Sequence, residues 1–137
     1  MIKKRFFSGA AEFSLVFLTG AVLYYGIEIA WRGYSHIAMA ILGGLCFLSL
    51  YMMGRLAPGM PLFLYCVLGG MIISLLEFCA GELLNGVLGL GIWDYSSLPL
   101  NFRGQVCLLF SFFWCLICMP AHFIASFFRR RIFGLPR

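Results

Sequence analysis

Four long apolar stretches, separated by brief polar punctuation, make up the hydropathy pattern of the chain. Between Arg5 and Arg32 the only charged residues are Glu12 and Glu28. Residues 37–53 carry no charge and end at the breaker-rich "GRLAPGMP". Residues 62–78 contain one acid, Glu77, and residues 104–128 contain no Asp, Glu, Lys or Arg. A helix needs about 20 apolar residues to span a bilayer core, and each stretch reaches or approaches that length. The pattern predicts an all-α integral membrane protein forming a single transmembrane domain over 1–137. Its transmembrane helices are predicted at about 8–30, 36–55, 61–81 and 104–127, with an outer loop at 92–103.

The third stretch is too long for a single crossing. No Lys, Arg or Pro interrupts residues 62–93, and a continuous helix there would run about 50 Å against a core of about 30 Å. The glycine-rich second half of "GELLNGVLGLG" has low helix propensity, so the pattern predicts a break or a short interfacial helix near residues 82–92. Sliding the chain on itself by 61 residues also aligns Gly9, Gly20, Tyr34, Ser35, Gly43 and Cys46 with Gly70, Gly81, Tyr95, Ser96, Gly104 and Cys107. This match either reflects two parallel helix-hairpin repeats, as transporters use, or merely two similar hydropathy profiles.

Composition and charge support a membrane setting. The chain is 63% hydrophobic and 11% charged, with a mean hydropathy of +0.99; a soluble domain carries about 25% charged residues. With an even number of spans, eight of the ten basic residues fall at the end that holds both termini: Lys3, Lys4, Arg5, Arg55, Arg129, Arg130, Arg131 and Arg137. Only Arg32 and Arg103 fall at the other. The positive-inside rule then places both termini in the cytoplasm. The net charge of +5 reads as topology and lipid-headgroup contact rather than a nucleic-acid footprint.

Ionisable groups inside a membrane are costly, about 2.5–3.5 kcal/mol each on insertion scales, so their placement is informative. Glu12 is expected to pair with Lys4 or Arg5, and Glu28 with Arg32 at i,i+4. Gly70, Ser74, Glu77, Gly81 and Asn85 share one face of the third helix, and Glu82 borders it. Two readings of this stripe stay open. In one it packs another helix closely, with Glu77 and Asn85 satisfied by neighbours. In the other it lines a hydrated path, with Glu77 or Glu82 taking up a proton or cation. Gln105, just inside the fourth span, is expected to meet Asn85 or Glu82. The six cysteines all fall within predicted spans, so a disulfide framework is not expected. The C-x-x-C of Cys115 and Cys118 reads as small apolar filler. Nothing marks a catalytic residue, a metal site or a cofactor.

The outer loop concentrates the remaining polarity: Trp93, Asp94, Tyr95, Ser96, Pro99, Asn101 and Arg103. Trp93 and Tyr95 are expected in the headgroup belt. Asp94 is expected to cap its turn through the Ser96 or Ser97 N–H, or to pair with Arg103 or Arg32.

Residues 76–114 resemble the small bacterial membrane proteins of the putative ABC-transporter type IV family. The resemblance rests on an acid-containing helix, then W-D-Y-S, Pro99 and Asn101, then G-Q-x-C-L-x-F-S from Gly104 to Ser111 and Trp114. It implies a permease-like component of a bacterial inner membrane and carries no established substrate or site residues. Three functions stand against one another. The first is a transporter, or the membrane part of one, working as a homo-oligomer or in a larger complex with a separate ATP-binding subunit. The second is a non-transporting assembly or interaction factor. The third is a small lipid-modifying enzyme using Asp94, Tyr95 and His36.

Overall fold

The computed structural model describes residues 8–136. Four helices carry the chain: α1 Gly9–Arg32, α2 Ile37–Leu56, α3 Leu62–Gly81 and α4 Leu108–Phe127. All four are long and apolar enough to cross a membrane. Their ends follow local chemistry. Ser8 caps α1 by accepting from the Ala11 N–H at 3.2 Å, and Gly33, at φ 79°, closes it. His36 caps α2 through Nδ1, which accepts from the Ala38 N–H at 3.0 Å. Pro61 precedes the first turn of α3, where its missing N–H costs nothing.

α3 gives way to a π-helical turn, Glu82–Val87, and then to extended chain. The break falls in the region the glycines predicted. Leu88 donates to the Leu83 carbonyl, and Gly89 and Gly91 turn the chain away at φ 63° and 58°, a region that costs glycine little.

One element departs from the pattern reading. Residues 104–107, expected to begin the fourth helix, instead complete a small hairpin of β1 Asn101–Phe102 and β2 Val106–Cys107. Its turn has positive φ at Arg103 (55°) and Gly104 (71°), and Gln105 N–H closes onto the Phe102 carbonyl at 3.1 Å. Hydropathy cannot distinguish a short apolar strand from a first helical turn. α4 therefore starts at Leu108, and it ends in a second π-helical turn, Phe128–Ile132.

α1 packs along α2 and α3 along α4, while α2 touches all three of the others. Glycines set the spacing at both hairpins. A Cβ at Gly20 would strike Phe47, and one at Gly70 would strike Cys115, so small residues here permit close backbone approach. Cys115 and Cys118 thus serve as the filler expected of them, and Cys118 lies against Gly69 in the core with Leu50 and Tyr65. Large apolar side chains such as Val22, Phe63, Leu75 and Phe112 point outward, as they should where lipid is the solvent.

At the end near the described termini, Glu12 is buried and accepts from Tyr51 Oη at 2.5 Å and Arg55 Nη1 at 2.7 Å. Lys4 and Arg5, its expected partners, lie outside the described residues. Arg129 folds over Gly54, and its Nη2 donates to Ser126 Oγ at 3.0 Å.

Candidate functional site

The polar stripe faces α4 at Gly70, Ser74 and Glu77, and faces Gln105 in the hairpin before α4 at Gly81 and Asn85. Ser74 Oγ and Ser111 Oγ share a hydrogen bond of 2.7 Å, and Gly81 lies against Gln105. Between them is Glu77, only 2% exposed. Its Oε2 accepts from Trp114 Nε1 at 3.0 Å and its Oε1 accepts from Tyr95 Oη at 2.9 Å. Both donors are neutral, and among the described residues no basic side chain bonds to this carboxylate.

Tyr95 arrives from the loop. Trp93 and Tyr95 are half-buried, with their polar atoms turned into the protein. Tyr95 stacks on Phe110 with ring centroids 4.8 Å apart, and Trp93 Nε1 donates to the Gln105 carbonyl at 2.9 Å. Aromatic side chains that face outward at this end include Trp31, 81% exposed, Tyr34 and Phe102. The inward turn of the Tyr95 hydroxyl serves polar satisfaction: inside a bilayer, a buried carboxylate needs donors, and the loop supplies one. Burial, then the Glu77 charge, push the Tyr95 phenol far above its ordinary range, so it remains a donor.

The loop is tied down residue by residue. Asp94 caps its own turn, its Oδ1 accepting from Ser96 N–H at 2.9 Å. The bonds from Ser96, side chain first and backbone second, hold the Asp94 carboxyl below its ordinary range. Asp94 pairs with neither arginine once proposed for it. Arg103 pairs with Glu82 at 2.8 Å, while Arg32 holds Glu28 at 2.6 Å and donates to the Ile92 carbonyl at 3.0 Å. Asn101 joins three strands of the loop: Nδ2 donates to the Leu98 and Ser96 carbonyls, and Oδ1 accepts from Gly104 N–H.

Of the two partners expected for Gln105, Asn85 is the one it meets, Nδ2 donating to Oε1 at 3.0 Å. Asn85 Oδ1 in turn accepts from Ile92 N–H at 2.6 Å. Glu82 sits apart, at the surface with Arg103. Asp94, Tyr95 and His36 each bond to a different partner: Ser96, Glu77 and Ala38 respectively.

The sequence pattern does not single out Tyr24, and it pairs Glu28 only with Arg32. Tyr24 Oη donates to Glu28 Oε1 at 3.2 Å, and its ring meets Trp114 with centroids 5.8 Å apart. The two carboxylates are thus linked through Tyr24 and Trp114. The i,i+4 spacing of Tyr24 and Glu28 was the available signal.

This arrangement defines a class: a small polytopic membrane protein of four helices, with a buried carboxylate near one end closed over by a folded loop. The family model described as Putative ABC-transporter type IV matches residues 16–136, and the chain belongs to that family. The match takes in the first two helices as well as the stretch around W-D-Y-S. Neither the curated proteins nor the solved structures provide a match to the chain.

Proposed function

We propose that the chain is the permease-like membrane component of a transporter, with Glu77 as its substrate- or proton-coupling group. It works as a homo-oligomer or as a subunit beside a separate ATP-binding protein, because four short helices enclose too little space for a complete pathway. The termini face the cytoplasm of a bacterial inner membrane and the W-D-Y-S loop closes the outer side. The observation that carries this reading is the Glu77 carboxylate itself: nearly fully buried, held by two neutral donors and matched by no basic group among the described residues. An intramembrane acid without a counter-charge marks substrate or proton handling more often than packing. Glu82, Asn85 and Gln105 are assigned the supporting role of fixing the end of α3 against the loop.

Gentle-detergent purification from native membranes tests this. An ATP-binding subunit in fixed ratio, or a self-sufficient homo-oligomer supporting flux, is the expected outcome. Recovery in a larger membrane complex with neither feature would instead establish the assembly-factor reading. One observation favours that second reading: the α3 stripe is filled by Cys115, Ser111 and Gln105, leaving this face closed.

A further inference from the structure

Beside Glu77 lies a cleft of about 350 Å³ between α1 and α4, open along one side. Ligand pockets begin at about this size. Its walls are unusually aromatic: Tyr24, Trp31, Tyr95, Phe110, Phe113 and Trp114, with Glu28 among them. A second, apolar crevice of about 190 Å³ shares Tyr24, Ile27, Trp114 and Ile117 with it and continues toward Ala121 and Ile124.

Inside the cleft the polar hydrogens of three rings are already committed, and only Trp31, exposed at the mouth, has an unengaged ring N–H. Tyr24 Oη donates to Glu28, while Tyr95 Oη and Trp114 Nε1 donate to Glu77. An anionic ligand, or one bearing only acceptors, would find no donor on Tyr24, Tyr95 or Trp114. A ligand would instead meet electron-rich ring faces and the Glu28 carboxylate. Arg32 is matched by Glu28 at 2.6 Å, so among the described residues the acid near the cleft with no basic partner is Glu77, behind Tyr95 and Trp114. Ring faces backed by a carboxylate attract cations, and quaternary ones in particular.

We propose that the α1–α4 cleft binds a lipophilic organic cation, its charge against the rings in front of Glu77 and its apolar body in the crevice toward Ile124. This names the substrate class for the transport reading and rests on that reading only for how the site is used. Bilayer acyl chains and a helix from a second copy are the competing occupants, and neither would use the charge.

Equilibrium binding of tetraphenylphosphonium to the purified chain in detergent micelles, corrected for empty micelles, tests it. Neutral triphenylphosphine oxide is the matched control. Saturable phosphonium binding is expected, with Glu77→Gln weakening it about tenfold or more and Trp31→Ala about threefold to tenfold. Trp31 is exposed at the cleft mouth, so its variant keeps the test informative if Glu77→Gln fails to fold. Non-saturable binding, equal binding of the neutral compound, or affinity indifferent to Trp31→Ala and to a folded Glu77→Gln would overturn the proposal. Saturable binding without flux would remove the transport reading and leave the site standing. A co-purified ATP-binding subunit without saturable binding would do the reverse.

Discussion

At the residue scale, the loop and the bundle are joined by the Tyr95–Glu77 bond, and its cost of removal can be measured. Hydrogen bonds to charged groups are worth about 1.5–3 kcal/mol. Tyr95→Phe is therefore expected to lower stability in detergent by about that amount, read from thermal unfolding. Trp114→Phe should act alike, and Asn101→Ala should loosen the loop without touching Glu77. Asp94 makes a pH prediction. Its carboxyl lies below the unfolded value because it accepts from Ser96, so its contribution is present at neutral pH and is lost as pH falls through that lowered value. Protection of the Ser96 amide from hydrogen exchange, relative to its intrinsic rate at each pH, should fall on acidification in wild type and show no such step in Asp94→Asn. The Asp94 cap was legible in the sequence because an Asx turn spans only two residues. The Tyr95 contact was not, since it joins positions 18 apart through a loop whose path depends on several other bonds.

At the scale of elements, the apolar pattern located all four helices, because lipid-facing segments must satisfy their backbone internally. It overran the start of α4, where Gly104 and Arg103 adopt the left-handed backbone of a hairpin turn. The α3–α4 seam was legible as a small-residue stripe, though which helix it faced was not. A side chain at Gly70 would press on Cys115 Sγ and approach the Cys115 backbone nitrogen to 3.1 Å. Overpacking of this kind costs about 1–3 kcal/mol, so Gly70→Ala should destabilise the seam by that much, with partial relief in the Gly70→Ala/Cys115→Ala double variant. Equal stability of Gly70→Ala and wild type would show that the seam is looser than drawn.

At the scale of the whole molecule, charge and fold agree on two distinct ends. Arg55 and Arg129 gather near the buried Glu12 at one end, while Arg32 and Arg103 sit with Glu28 and Glu82 at the other. In the orientation proposed from the positive-inside rule the first end is the cytoplasmic one. In a cysteine-free background, an impermeant thiol reagent should label Ser97→Cys in intact cells and Gly59→Cys only after permeabilisation. The open cleft between α1 and α4 could not be read from the chain, because it arises from how α1 leans on α2 and not from any local pattern. The central claim is that transport is organised around the Glu77 carboxylate. It is tested most directly by tetraphenylphosphonium flux into proteoliposomes, energised by ATP where an ATP-binding subunit co-purifies and otherwise by a pH gradient. Wild type is predicted to accumulate the cation, and Glu77→Gln of equal thermal stability is predicted not to; equal accumulation by both would contradict the account.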